Sequence, residues 1–425
     1  IVIFITIAWT RYLTLHSYYF DLGVFQTWLY GIQAKSEWGR MFEGHAHLAA
    51  LPYLFVLKFV PEQYDAQMLF LFQSLAFSIP FWFLYRRFGI FVAVVFALYA
   101  PVWINNHFEF HFDHLAVPLL LSFYLLVTND RLIGATIAAL FLMTVKEPFA
   151  LETAACGVFL LSRALSSSVP GIVSKRFQCI GFGVFLILSG ILYFYFVTSY
   201  LIPYFSDGAQ NGLSAGAFSY MGHSMGQIVK YVFMHPIKIT FDIILIPGKL
   251  LYLLVIFGSL GFIPLLAPSY LIPAIPLLGI ALLSGDPAYY NCHKHYTAGL
   301  IIPVMFAFAY GLPKAQILWN KAIRSCTGIG KNVSLRLKKE GIERKYSQVF
   351  YGLVLFCVFV EHFFLAPSPI SWWFWSDRLW AYNWHAYYAT DRDKLIQHAI
   401  RNKIPADPRV SVVTQGPINS AYLAH

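Results

Sequence analysis

Five ionisable side chains lie within ten positions, in the sequence Asn-Asn-His-Phe-Glu-Phe-His-Phe-Asp-His at residues 105–114. An extended segment would place four of them on one face and three phenylalanines on the other. These four are His107, Glu109, His111 and Asp113. A helix would instead group the histidines on one face and the two acids on another. Both arrangements favour a substrate or metal site over a solvated loop, because the alternation with Phe suits ordered packing.

A second charged motif, Lys146-Glu147, lies between apolar runs and is followed by Pro148. Charges in such a setting pair with each other or face a polar cavity. In a functional site, Lys146 would bind an anionic group and Glu147 would orient it. The plainer interpretation is a structural ion pair.

Three further motifs carry polar chemistry. Asp21, in Phe-Asp-Leu-Gly-Val-Phe, is a candidate base, although Asp is also favoured as a helix N-cap. His45 and His47 form a His-x-His pair, which can bind a metal, but most such pairs in loops bind nothing. Lys294 lies between two histidines in the Tyr-rich segment 289–296 and is a candidate phosphate ligand.

The elements that position these residues are predicted to be membrane-spanning helices. The chain is 58% hydrophobic and only 12% charged, whereas soluble proteins are roughly a quarter charged. Its long apolar runs do not alternate with polar residues, which excludes a transmembrane barrel and predicts an all-α polytopic membrane protein. The net charge of +10 is concentrated, since nine Lys/Arg lie between Lys314 and Lys345. This pattern is typical of a cytoplasmic loop and argues against a nucleic-acid-binding protein.

We predict eleven spans, the first of them clipped, at residues 1–15, 66–85, 89–104, 114–128, 131–146, 148–163, 178–200, 249–263, 266–283, 296–312 and 347–366. Placing the basic loops inside makes every span alternate, with the N-terminus cytoplasmic and the C-terminus outside. The short apolar segment 48–60 contains Pro52 and is predicted to be re-entrant or interfacial. All the candidate residues then lie on the outer face of the cytoplasmic membrane.

Residues 367–425 differ in composition from the predicted transmembrane domain, residues 1–366. Residues 371–390 are dense in Trp and Tyr, as in an interfacial belt. A helix at 391–403 and a Val-rich strand at 409–414 are predicted to follow. Residues 367–425 therefore look like the start of a small outer α/β domain in a chain that begins without Met. The five cysteines include no CxxC pair and indicate no disulfide framework.

Taken in order, these motifs resemble a family of prokaryotic membrane proteins called domain of unknown function 2079. The resemblance rests on five motifs of that family. Its Tyr-Asp-Leu-Gly-Ile-Phe motif corresponds to Tyr19 to Phe25, and its His before an apolar stretch corresponds to His45. Its Asp-Phe-His-Pro, Lys-Glu-Asp and Tyr-x-Ala…Pro motifs correspond to Glu109 to Phe112, Lys146 to Pro148, and Tyr296 to Gly311, respectively. The chain departs from the pattern at several positions, among them an inserted Phe20, Glu in place of Asp at 109, and Pro148 in place of an acid. The last change argues against a strict requirement for two carboxylates at 147–148.

This family in turn resembles the GT-C superfamily of polytopic glycosyltransferases, which carry an acidic residue in the first outer loop. The resemblance implies transfer of a hexosyl or pentosyl group from a polyprenyl-phosphate donor within the bilayer. Asp21 would be the general base, and Glu109, the second catalytic residue, would orient the acceptor or help to hold a divalent ion. Lys146 and Lys294 would bind the leaving phosphate.

The resemblance also implies that His45, His111 and Glu147 bind substrate. It requires no cofactor, although His45, Glu109 and His111 are a possible set of ligands for a divalent metal ion. Two other functions remain open. A transporter would distribute charges through the membrane depth and contain an inverted repeat, and neither is evident in the sequence. A metal-binding or assembly-scaffold membrane protein would use the His-rich outer loops without catalysis.

Overall fold

The computed structural model describes residues 1–17, 20–165, 173–206, 216–326, 342–377 and 383–403, and these ranges contain helices and turns but no β-strand. The predicted all-α architecture is therefore confirmed for this part of the chain. The helix predicted at 391–403 is present as Asp391–Lys403. The strand predicted at 409–414 lies outside the described residues.

The first half of the chain forms the helices α1 (Val2–Leu13), α2 (Phe20–Lys35), α3 (Leu51–Leu57), α4 (Asp65–Phe88), α5 (Ile90–Leu98), α6 (Ala100–His107), α7 (Ala116–Thr128), α8 (Leu132–Leu142), α9 (Glu147–Leu165) and α10 (Val173–Phe196). The second half forms α11 (Ile202–Phe205), α12 (Met225–Met234), α13 (Pro236–Lys238), α14 (Pro247–Leu253), α15 (Ile275–Leu283), α16 (Ala298–Cys326), α17 (Ile342–Leu365), α18 (Trp372–Trp375) and α19 (Asp391–Lys403). Short 3₁₀ and π turns extend several of them. Each of the eleven predicted spans coincides with one or more of these helices.

Five helical stretches of the described chain are long and apolar enough to cross a bilayer, and α5 with α6 forms a sixth candidate bent by 49°. The five are α4, α9, Arg176–Phe205, His295–Ile323 and Tyr346–Leu365. The other predicted spans coincide with apolar helices of 10–17 residues, including α7 and α8. The protein is a membrane protein with several apolar helices, and helix length supports five or six spans.

Helix α16 lies at the centre of the bundle. Of the apolar stretch within His295–Ile323, 83% is buried, against 22% for Tyr346–Leu365. Tyr124 of α7 stacks on Phe306 of α16 with ring centroids 4.6 Å apart, and both side chains are buried. Aromatic pairs of this kind add to the stabilisation from apolar burial. The packing that fixes α16 also fixes the loop before it.

Helices α9 and α10 pack with their backbones in direct contact. A Cβ placed on Gly157 would lie 2.4 Å from the carbonyl oxygen of Gly183, and one on Gly190 would lie 2.4 Å from that of Ala150. Small residues allow such close approach between helices in a membrane. Because α9 begins at Glu147, this contact positions one of the predicted site residues.

The two ends of α9 carry different chemistry. Glu147 contacts His45, whereas Arg163 pairs with Asp130 at 3.2 Å. At 1.5 Å per residue, Glu147 and Arg163 are about 24 Å apart along the helix. The loop that carries His45 therefore lies at the opposite end of α9 from Arg163, which agrees with the predicted separation of the His-rich loops from the basic loops. Which end faces the cytoplasm stays a prediction.

The segment predicted to be re-entrant or interfacial is a 3₁₀ turn, Leu48–Ala50, followed by α3. It is too short to cross a bilayer in one pass. Its N-terminal end is held near the second charged motif, because the Ala49 N–H donates to the Thr144 carbonyl at 3.0 Å. Phe55 is 68% exposed, so the far side of α3 presents an apolar surface.

The described part of the C-terminal region packs against the end of the bundle where α1 ends and the His-rich segment 105–114 begins. The Thr14 hydroxyl donates to the Ala386 carbonyl at 2.8 Å, and the Gln397 amide donates to the Leu13 carbonyl at 2.6 Å. The Tyr387 hydroxyl lies 3.1 Å from Nδ1 of His107. These contacts hold the C-terminal region against α1 and the His-rich segment.

Candidate active site

The segment after α6 is extended and leads into a 3₁₀ turn, Phe112–Leu115. The predicted strand-like alternation therefore applies to residues 108–111, and the flanking residues are helical. Phe110 and Phe112 are fully buried, as expected for the apolar side of the segment. The polar side carries Glu109 and His111 towards α2.

Gln73 of α4 fixes this segment in place. Its Nε2 lies within 3.4 Å of the carbonyl oxygens of Asn105, Asn106 and Phe108, and its Oε1 accepts the His111 N–H at 3.1 Å. The last carbonyl groups of a helix have no partner within it, and a buried amide that pairs with them removes the cost of burying unpaired polar groups. A Gln flanked by apolar residues within α4 was the sequence signal for this contact, and Gln73 was not among the residues predicted to form the site.

Glu109 caps the N-terminus of α2 from another part of the chain. Its Oε2 accepts the N–H groups of Asp21 at 2.7 Å and of Leu22 at 3.4 Å. N–H groups in the first turn of a helix have no partner within the helix. Burial raises the pKa of Glu109 to about 8, although these two hydrogen bonds oppose the change. The contacts of Glu109 are therefore those of a positioning residue for Asp21.

The Asp21 carboxylate faces His111. Its Oδ2 lies 2.9 Å from Nε2 of His111, and its side chain is 33% exposed. Burial disfavours the charged form, but the hydrogen bond and charge of His111 and the charges of Lys146 and Lys294 outweigh it, so the pKa of Asp21 is below its usual value. At neutral pH the protein thus presents an ionised carboxylate that a substrate can reach.

A chain of contacts links Asp21 to Lys146. The ring of His111 stacks on that of His295 with centroids 3.5 Å apart. Nε2 of His295 lies 3.6 Å from one oxygen of Asp113, and Nζ of Lys146 lies 4.0 Å from the other. His111, Asp113, Lys146 and His295 are all more than nine-tenths buried. The polar network therefore runs between α2 and the start of α9.

Lys146 remains a cation in this environment. Burial acts to lower the pKa of Lys146, but the carboxylates of Asp113 and Glu147 outweigh burial and raise it above its usual value. Nζ also lies 5.7 Å from the ring centroid of Tyr296, and an aromatic face attracts a cation at that distance. A buried positive charge that lines a pocket is suited to bind an anion.

The two loop histidines, His45 and His47, contact different groups near the start of α9. Oε1 of Glu147 lies 2.7 Å from Nδ1 of His45, and its Oε2 accepts the Ala46 N–H at 3.3 Å. His47 instead contacts the Val145 carbonyl through Nδ1 at 2.9 Å. The His-x-His motif therefore attaches its loop to the start of α9. Burial lowers the pKa of His47 well below its usual value, which keeps this ring neutral.

The network opens into a pocket with one polar and one apolar wall. Its polar wall includes His45, Asp113, Lys146, Glu147 and His295. Its apolar wall includes Leu277 and Ile280 of α15. A pocket of this composition is suited to the junction between a charged head group and an apolar chain.

The structure brings most of the predicted site residues together and adds two. Asp21, Glu109 and His111 are in direct contact, His45 and Glu147 form a second pair, and Lys146 connects to both groups electrostatically. Lys294 is half-buried, and its charge contributes to the low pKa of Asp21. The two additions, Asp113 and His295, lie in motifs noted in the sequence but were not among the predicted catalytic, substrate-binding or metal-binding residues. The possible metal ligands His45, Glu109 and His111 have different partners from one another, and that ligand set stays a prediction.

A family model described as Predicted membrane protein (DUF2079) matches residues 11–415 of the chain. No curated protein and no solved structure gives a match. The family match includes every motif on which the resemblance was based, from Tyr19 to Gly311. The family expected from the sequence is therefore confirmed.

Proposed function

The chain belongs to this family of predicted membrane proteins, and on that premise we propose that it is a glycosyltransferase. It transfers a sugar from a polyprenyl-phosphate donor to an acceptor hydroxyl at the outer face of the cytoplasmic membrane. The reaction class comes from the resemblance of the motifs to GT-C enzymes. The orientation comes from the eleven-span topology, with the N-terminus inside and the site outside.

The observation that carries this proposal is the pairing of an accessible carboxylate with a buried cation in one network. Asp21 is ionised and partly exposed, and Lys146 is buried and positively charged. A single displacement at a sugar carbon needs a base on one side and stabilisation of the leaving group on the other. No covalent nucleophile is required.

In the proposed step, the acceptor oxygen forms a bond to the anomeric carbon as the bond from that carbon to the phosphate oxygen breaks. The proton of the hydroxyl passes to Asp21, and the bonding electron pair leaves with the phosphate. Lys146, with Lys294 nearby, stabilises the negative charge that develops there. A carboxylate with a lowered pKa is a weak base, so it takes the proton late, when bond formation has made the hydroxyl acidic.

The remaining predicted residues hold these groups in place. His111 fixes the orientation of the Asp21 carboxylate, and Glu109 fixes the backbone that carries it. The Glu147–His45 pair closes the polar wall of the pocket next to Lys146. We assign Glu109 to positioning, which differs from the catalytic role expected from the resemblance.

The test is transfer by the purified protein in proteoliposomes that contain polyprenyl-phosphate sugars. Asp21→Asn removes the base and keeps the size of the side chain, so we expect a loss of at least about 100-fold. Asp286→Asn is the matched control, because Asp286 is an exposed helix-capping acid outside the network. Transfer by Asp21→Asn at the rate of the control would overturn the assignment of the base.

One observation favours a transporter as the second candidate. Glu152 lies five residues into α9 and is fully buried, and neither of its carboxyl oxygens has a hydrogen-bond partner among the described residues. Ionisable groups at such depth often mark an ion pathway. Glu152→Gln should leave sugar transfer unchanged if the protein is a glycosyltransferase. Ion uptake into proteoliposomes that depends on Glu152 would favour the transporter.

A further inference from the structure

Three buried side chains of the network converge in a way that sugar transfer does not require. One ligand atom from each of His111, Asp113 and His295 lies within 4.8 Å of the other two. The three residues are 8%, 4% and 5% exposed. We propose that they form a binding site for one divalent transition-metal ion.

The hydrogen bonding of this cluster is incomplete. Nδ1 of His111, both ring nitrogens of His295 and Oδ1 of Asp113 have no hydrogen-bond partner among the described residues. Most buried polar groups in proteins do have one. Four such atoms in one cluster of ligand-type residues indicate a bound species that accepts nitrogen and oxygen lone pairs.

The donor set defines the class of ion. Two imidazoles and one carboxylate suit Zn²⁺, Mn²⁺ or Fe²⁺, whereas Ca²⁺ and Mg²⁺ prefer oxygen ligands. Three protein ligands also leave a coordination position open for water or substrate. The two rings are stacked at an interplanar angle of 15°, so one of them must turn about its Cβ–Cγ bond for both nitrogens to face one ion.

Asp21 supports this assignment from outside the cluster. Its carboxylate lies 2.9 Å from Nε2 of His111 and so holds the proton on that nitrogen. Nδ1 is then the nitrogen with a free lone pair. A carboxylate behind a histidine ligand is a common arrangement at metal sites, where it fixes the tautomer and the ring orientation. The side chain proposed as the base would also stabilise the metal site.

The proposed set differs from the one expected from the sequence. His111 belongs to both sets, but His45 is engaged with Glu147, and Glu109 is engaged with the N-terminus of α2. His295 and Asp113 take their places. Substitution of His45 or of His295 therefore distinguishes the two sets directly.

The experiment titrates the detergent-solubilised full chain, first freed of metal by chelation, with Co²⁺ and then Zn²⁺. Visible absorption of Co²⁺ and elemental analysis of Zn²⁺ report stoichiometry and affinity without substrate, so the result does not depend on whether transfer is detected. We expect one ion per chain. Removing a ligand, in His295→Ala or Asp113→Asn, should lower the affinity by more than about 100-fold. Asp21→Asn, which removes only the outer carboxylate, should lower it by about 10–100-fold.

His45→Ala and His293→Ala are the controls and should bind the metal as the wild type does. His293 lies in the same loop as His295 but outside the cluster. Size-exclusion profiles and thermal midpoints identify any variant that fails to fold, and two ligand variants keep the test decisive if one does. The proposal is overturned if the folded wild type binds no stoichiometric metal. It is also overturned if His295→Ala binds as tightly as His293→Ala, or if binding is lost in His45→Ala.

Discussion

At the scale of single residues, Glu109 couples the site to pH. Burial raises its pKa from 4.5 to about 8, with a smaller contribution from the negative charge of Asp21. Between these two values the folded protein holds a proton that the unfolded chain has released. The free energy of unfolding therefore decreases as the pH rises from 4.5 to about 8, and above about pH 8 the contribution of the Glu109 proton to stability is lost.

Glu109→Gln should remove this dependence. The amide keeps the size of the side chain and an oxygen that can accept the N–H groups of Asp21 and Leu22, but it does not ionise. We expect the thermal midpoint of the wild type in detergent, measured relative to that of the variant, to decrease as the pH is raised from 4.5 to about 8. Midpoints of the two proteins that run parallel across this range would show that the Glu109 carboxyl is not perturbed by burial.

The sequence identified the chemical groups of the site better than their contacts. Asp21, His111 and Lys146 stand out because ionisable residues are rare in so apolar a chain. Their contacts join residues far apart in sequence: Asp21 and His111 are separated by 90 positions, and Asp113 meets His295 from a different helix. No local periodicity encodes such pairs. The roles of His45 and Glu147 as partners and of Glu109 as a helix cap followed only from the fold.

At the scale of elements, apolar runs predicted helices well because a membrane chain must satisfy its backbone hydrogen bonds within each segment. The predicted ends of the spans were less accurate where they were set by the first charged residues after an apolar run. Helix α16 continues to Cys326, past the predicted end at 312 and past the first lysines of the basic loop. Lys314 lies within this helix, and its Nζ donates to the Leu266 carbonyl at 2.8 Å, so the lysine is anchored on the neighbouring segment.

The contact between α9 and α10 gives a test at this scale. In Gly190→Ala, the added Cβ would lie 2.4 Å from the Ala150 carbonyl oxygen, a backbone atom that cannot move without displacing α9. We expect destabilisation of about 1–3 kcal/mol, measured as a lower thermal midpoint in detergent.

Gly181→Ala is the control in the same helix, since a Cβ there would meet no atom within 4 Å. It should leave the midpoint unchanged or raise it, because Ala favours helix more than Gly. Equal midpoints for the two variants would mean that α9 and α10 are not in backbone contact.

At the scale of the whole molecule, the convergence of the predicted outer loops is the main agreement between sequence and fold. Residues from the loops around 21, 45, 111, 146 and 295 meet in one network. Counting basic loops predicted this grouping without any contact information, because loops on one side of a membrane can approach one another. The number of crossings is less well determined, since many of the predicted spans are helices of 10–17 residues.

Arg131 and Asp286 distinguish the two span counts. Five of the eleven predicted spans lie between these residues, which places them on opposite sides of the membrane. If only the long helices cross, α9 and Arg176–Phe205 lie between them, and the two residues are on the same side. Both side chains are exposed. Arg131→Cys and Asp286→Cys, each in a background with the five native cysteines replaced, can therefore be labelled in intact bacterial spheroplasts with a membrane-impermeant maleimide.

We expect Asp286→Cys to react in intact spheroplasts and Arg131→Cys to react only after permeabilisation. This outcome supports eleven spans and places Asp21 and Lys146 on the outer face, where a lipid-linked sugar would be used. Reaction of both cysteines in intact spheroplasts, or of neither, would support the smaller count. The reversed pattern would keep the eleven spans but place the site in the cytoplasm, and sugar transfer at the outer face would then be excluded.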